Sequence, residues 1–119
     1  MPFRSRESTL PLTPISFEIL LALLDEPQHG YAILQVVDAR AGSLLPMRTG
    51  TVYRALARLM DEGLIVEADA AVSAAEQDER RRTYRITTAG RKIARAEAER
   101  LASQVAAARA RRLLPADKK

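Results

Sequence analysis

The chain has 119 residues, 47% of them hydrophobic and 29% charged, with a formal net charge of +4, which suits one small globular domain with an appended element. No run approaches the ~18 consecutive apolar residues of a membrane-spanning helix, and the opening residues MPFRSREST lack the apolar stretch of a secretory signal. There is no Cys, which excludes a disulfide framework and a thiolate metal site and leads us to expect a reduced, cytoplasmic protein.

The first predicted element is a helix in LTPISFEILLALLDEP. Thr13 is its N-cap, Pro14 fits the first helical position, and Pro27 marks the stop. Ile15, Ile19, Leu20, Leu23 and Leu24 recur at helical spacing and are expected in the core. A second helix runs from about Gly30 to Ala41, closed by Gly42, with Ile33, Leu34 and Val37 as its buried stripe. SLLPM then reads as a short extended link, because Pro46 disfavours helix before it.

The third helix lies in RTGTVYRALARLMDEGLI, residues 48–65. Val52, Ala55, Leu56 and Leu59 fall within about a third of a turn at 100° per residue and are assigned to the core. Arg54, Ala57, Arg58 and Asp61 point away, Thr49 and Thr51 lie on the open first turn, and Tyr53 sits at the border. This outer face carries no acidic residue until Asp61. Gly63 ends the helix. LIVEAD and RRRTYRIT are predicted strands joined by a polar loop, which makes a hairpin. In the second strand Thr83, Arg85 and Thr87 face one side, Tyr84 and Ile86 the other.

The last predicted element is a long helix from Thr88 to Leu114, capped by Thr87 or Thr88, roughly 40 Å at 1.5 Å per residue. Such a helix overshoots a domain this small. Ala94, Ala98, Leu101, Val105 and Ala108 follow 4-3-4-3 spacing, a narrow seam of small side chains that calls for a second helix. We therefore expect a domain over residues 1–86 and a dimerisation helix with a tail over residues 87–119. The alternative is that the helix lies across its own domain.

Charge is unevenly placed. Residues 1–86 hold 10 Lys or Arg against 12 Asp or Glu, whereas residues 87–119 hold 9 against 3. Within the acidic first part the arginines bunch at Arg48, Arg54 and Arg58, and again at Arg80, Arg81, Arg82 and Arg85. Bunched arginine in an otherwise acidic domain points to a specific anionic partner, the plainer reading being a solvated surface.

Three helices followed by two strands is the order of a winged helix-turn-helix, in a fold that is mainly α with a small β-hairpin. The third helix then enters the major groove of double-stranded DNA and the hairpin lies against the neighbouring backbone. A carboxylate on the groove-facing side would be repelled by phosphates. An Arg there can fork onto guanine or phosphate, and Thr49 and Thr51 can bond phosphate oxygens at the helix N-terminus. The arginines at 80–82 are placed for phosphate or minor-groove contact, unless they pair with the neighbouring EQDE.

Enzyme readings fare badly. The chain has one His, no phosphate-cradling glycine loop and no evident Ser–His–acid set. We expect no catalytic residue, no metal and no cofactor; His29 reads as a loop or capping residue. The competing reading is a winged-helix dimer that uses the same face as a protein–protein adaptor.

Three motifs add to this. LTPISFEILLALLDEPQHGYAIL, GTVYRALARLMDEGLI and RRTYRITTAGR occur in order over roughly residues 12–91, and together they resemble the PadR family of bacterial transcription regulators. The resemblance implies a homodimeric repressor on a near-palindromic operator, released by a small-molecule effector such as a phenolic acid or a drug. The single basic C-terminal helix is similar to that of the short subfamily, which dimerises through it. Gly50, Thr51, Tyr53, Arg54 and Arg58 match the family's recognition-helix motif, and Tyr31 matches the Tyr that opens its second helix near phosphate. Where many relatives have SPGT this chain has RTGT, so Arg48 and Thr49 are its local departure: either Thr49 caps the helix, or Arg48 adds a phosphate contact. No aromatic residue lies between Thr87 and Leu114 and there is no Trp, so a drug sandwich of aromatic rings on that helix is not supported.

Overall fold

A computed structural model of the chain describes residues 10–41, 49–68 and 82–116. The expected SLLPM link, the hairpin tip, Arg48, Arg80 and Arg81 lie outside these residues. The first helix, α1 (Pro14–Asp25), starts where Thr13 caps it, its hydroxyl accepting from the Ser16 N–H at 3.1 Å. Ile19, Leu20 and Leu23 are buried. The helix ends before Pro27, which disfavours helical backbone in the residue preceding it; Glu26 is already extended.

A two-residue strand, β1 (Gln28–His29), follows, and α2 (Gly30–Ala41) begins directly after it. Ile33 and Val37 of α2 are fully buried and Leu34 half-buried. Arg40 reaches back to Glu18 of α1 at 2.7 Å, an exposed ion pair of small energetic weight.

Helix α3 (Thr49–Asp61) buries Val52, Leu56 and Leu59, with Ala55 half-buried. It closes in a reciprocal double hydrogen bond: Gly63 N–H donates to Met60 O at 3.0 Å and Leu64 N–H to Leu59 O at 2.9 Å. Gly63 has a φ of 76°, the left-handed conformation in which a Cβ is penalised, so glycine is the natural residue at this cap.

Strands β2 (Ile65–Glu67) and β3 (Thr83–Ile86) pair antiparallel, Ile65 opposite Ile86 and Glu67 opposite Tyr84. β1 pairs with the other edge of β3, His29 opposite Thr83. The expected hairpin is thus a three-stranded sheet in the order β1-β3-β2. A two-residue strand carries no period-2 signal, so β1 is not legible in the sequence as the other two strands are. The alternation in β3 is as read: Tyr84 and Ile86 are buried, Arg85 exposed.

Thr87 joins sheet, α3 and the last helix, α4 (Thr88–Ala110). Its hydroxyl accepts from Gly90 N–H at 2.9 Å and donates to Gly63 O at 2.7 Å, while its own N–H donates to Leu64 O at 3.0 Å. Helix α4 stops at Ala110, four residues before the expected Leu114. Arg112 turns left-handed with φ 65°, Leu113 N–H donates to Ala108 O at 2.9 Å, and Pro115 follows. The proline makes helical backbone at Leu114 unfavourable, and an arginine takes the cap position that glycine usually fills.

The first half of α4 packs on its own domain: Gly90, Ile93, Ala94 and Glu97 are buried. Ala94, expected on the dimer seam, therefore belongs to the core. Beyond Glu97 none of the described residues is buried. The Glu97 carboxylate is 2% exposed and takes both hydrogen bonds of Arg100, at 2.7 and 3.0 Å.

The Arg100 bonds, helped by the Leu12 backbone N–H and opposed by burial, hold the Glu97 carboxyl below the ordinary Glu range. A lowered folded-state pKa means the stabilisation is complete above the unfolded value, ~4.3, and is lost as the pH falls through the folded value. Glu97→Gln is expected to cost about 1–3 kcal/mol at pH 7. Wild type and variant should converge in thermal melts as the pH falls through the lowered folded-state value of Glu97.

Candidate nucleic-acid interface

The sequence of α3 separates two faces, and the structure keeps them apart. Thr49, Gly50, Arg54, Ala57, Arg58 and Asp61 are exposed and Thr51 half-exposed. Both guanidinium groups are exposed, and among the described residues neither Arg54 nor Arg58 enters an ion pair. Arg54 folds back over the first turn of the helix, its Nη2 lying 3.4 Å from Thr51 Oγ1. A Cβ on Gly50 would stand 3.2 Å from Arg54 Nη1. Glycine at position 50 thus leaves room for the guanidinium above the helix N-terminus, where backbone N–H groups already favour an anion.

Tyr53 is corrected. Its ring is 8% exposed and lies in the core cluster, so it packs α3 onto the domain and does not join the outer face. The border position assigned from the wheel resolves inward, burying an aromatic surface worth far more in the core than in water.

The second helix contributes its start. Tyr31 is 47% exposed one residue into α2, and the α2 N-terminus is fastened to the third strand at two points. Gly30 N–H donates to Arg82 O at 2.9 Å, and His29 Nδ1 lies 3.0 Å from Thr83 Oγ1. His29, read as a loop or capping residue, is a strand residue that ties α2 to the hairpin. These links place Tyr31 beside the root of the wing.

The wing arginines divide. Arg80 and Arg81 fall outside the described residues. Arg82 has the parity of Tyr84 and Ile86, so it sits on the sheet's inner side, its Nε 3.7 Å from Glu67 Oε2. Among the described residues its partner is the strand neighbour Glu67, while the EQDE stretch lies outside them. Arg85, left out of the sequence-based contact set, is exposed on the outer side opposite Val66. Strand alternation carried the signal for both residues.

Along the seam expected for a partner helix, Leu101 and Ala108 are half-exposed, Val105 is 38% exposed and Ala98 exposed. Just beyond the helix, Leu113 and Leu114 are 76% and 42% exposed. Among the described residues no helix is long and apolar enough to cross a membrane, and no group of His, Cys, Asp and Glu could hold a metal.

The family model described as the transcriptional regulator PadR-like family matches residues 19–96. Among solved structures the chain is similar to a complex of RosR from H. salinarum, with TM-score 0.64 and 25% identity over 83% of this chain and 78% of that one. It is similar to a transcriptional regulator from Clostridium thermocellum, with TM-score 0.61 and 27% identity over 75% and 83%. A PadR-like transcriptional regulator from Bacillus cereus shares the fold, with TM-score 0.59 and 19% identity over 93% and 96%. A curated relative, an uncharacterized 37.1 kDa protein in transposon TN4556 of Streptomyces fradiae, is 38% identical over 84 residues. That match takes in 71% of this chain but 22% of the relative, so the chain spans under a quarter of the curated protein it matches.

Proposed function

The chain belongs to the PadR-like family of transcriptional regulators, which are not enzymes, and from that premise we propose that it is a dimeric repressor reading a near-palindromic operator with α3. The observation that carries the reading is the outer face of α3, where Arg54 and Arg58 stand exposed and without ion-pair partners among the described residues. Thr49, Gly50 and Thr51 line the helix start next to them, where an incoming phosphate meets unpaired backbone N–H groups. Tyr31 adds a backbone contact from the α2 N-terminus. Arg48, Arg80 and Arg81, which lie outside the described residues, are assigned to phosphate or minor-groove contact from the sequence alone, while Arg82 contributes after exchanging Glu67 for a phosphate.

Dimerisation is assigned to the half of α4 that leaves the domain. Its Ala98, Leu101, Val105 and Ala108 make a stripe that the described residues leave exposed or half-exposed, and a 4-3-4-3 stripe is complementary to a second copy of itself. Leu101→Arg is expected to yield monomer in sedimentation without lowering the melting temperature of the domain. A dimer that persists in this variant removes the stripe from the interface.

A gel shift with the DNA upstream of the chain's own coding sequence tests the function. We expect a discrete complex at low salt that an excess of unrelated DNA does not displace. No complex at low salt would overturn DNA reading and favour the adaptor. Release by a small molecule, as the family resemblance implies, is checked by screening aromatic acids and drugs for loss of that complex; the effector site would use aliphatic groups and Phe17 of α1.

A further inference from the structure

The buried ion pair on α4 is absorbed neither by DNA contact nor by the seam. Gly90, Ala94, Glu97, Leu101 and Ala108 fall within an arc of about 60° on the helix at 100° per residue, so they form one continuous stripe. Its upper part, Gly90 to Glu97, is buried on the same chain, and its lower part, from Leu101 on, is not. Glu97 stands at the boundary, 2% exposed, with both carboxylate oxygens held by Arg100. The Arg100 side chain is 37% exposed, so the pair reaches from the core to the edge of the uncovered half. Stability alone does not account for a carboxylate here, because a well-packed apolar residue in place of a buried ion pair is often neutral or better.

We propose that the Glu97–Arg100 pair is a register stop: it ends the apolar stripe on the domain side and fixes where a second copy's α4 can lie, and so the separation of the two α3 helices. This rests on the dimer reading above. A stripe of small apolar residues at heptad spacing is nearly as complementary after a slip of one turn or one heptad, about 5–10 Å along the axis. A partner helix slipping toward the N-terminus would have to cover the Arg100 guanidinium and strip its water. A single polar residue at such a position is a known means of specifying helix register. Glu97 and Arg100 are then positioning residues, acting on the operator through the geometry of α3.

The chain has no Cys, so Ala57→Cys, on the exposed face of α3, gives a unique spin-label site. Pulsed dipolar spectroscopy on the labelled dimer is expected to show one narrow distance distribution. Adding Glu97→Leu, which leaves Arg100 unpaired but partly exposed, should lower the melting temperature and keep the dimer mass, while the distribution broadens or splits by several ångströms. Arg100→Gln, at a partly exposed position, should broaden it likewise and decides the matter if Glu97→Leu does not fold. A distribution unchanged in a dimeric Glu97→Leu variant, or unchanged in Arg100→Gln, overturns the register role. A parent with no inter-protomer signal and a monomer mass overturns the dimer reading, and the register role with it.

Discussion

Replacing Gly90 with Ala is expected to cost the fold about 3 kcal/mol and to lower its melting temperature by roughly 10 °C. The added Cβ would run into the Leu64 carbonyl oxygen and stand 2.7 Å from Ile86 Cγ1. The Leu64 carbonyl is backbone, and it already accepts from Thr87 N–H at 3.0 Å. It cannot move without loosening the junction where α3, the sheet and α4 meet. Gly50→Ala is the control. Its Cβ meets only the movable tip of Arg54, at 3.2 Å, in an exposed first turn where Ala is the better helix former. That variant should melt at or slightly above wild type while weakening DNA binding, because the guanidinium is displaced. Thermal melts of both proteins separate a glycine kept for packing from one kept for a neighbouring arginine.

The second large effect is on affinity. Arg54→Ala with Arg58→Ala is expected to cost specific operator binding about 1–3 kcal/mol for each arginine that forks onto a base. The two lie four residues apart on one face, so their effects need not add. Both are exposed and without ion-pair partners among the described residues, so the double variant should melt like wild type. Salt dependence tells the roles apart. An arginine on phosphate lowers the slope of log affinity against log salt by about one when removed, whereas one on a base edge leaves it nearly unchanged and relaxes sequence preference. If the double variant binds operator as tightly as wild type, α3 is not the reading helix.

Much of this was legible in the sequence because the signals were local and repeated. Thr13 and Pro14 marked the start of α1, Gly63 the end of α3, and Thr87 the start of α4, since capping chemistry is written in one or two residues. The two-faced pattern of α3 needed only its 3.6-residue period. What escaped depended on contacts distant in the chain. β1 is too short for any period and exists because His29 and Gln28 meet β3 more than 50 positions on. Tyr53 sat at a wheel border, and only the packing of neighbours could send it inward. Ala94 fitted the seam spacing perfectly well, yet the same stripe first packs on α1 and the sheet before it leaves the domain. Periodicity identifies an apolar face without saying which partner covers it. Nor did it show why Glu97 is charged, since a carboxylate in a run of Ala and Arg reads as solvated surface until its burial is seen.

On the proposed reading, two copies present their α3 helices to successive major grooves on one side of the DNA. Hydroxyl-radical footprinting of the upstream DNA tests it most directly. The expected result is two protected segments whose centres lie one helical turn apart, about 10–10.5 base pairs, related by an approximate dyad and lost together in Leu101→Arg. A single protected segment that persists in that monomeric variant would contradict it.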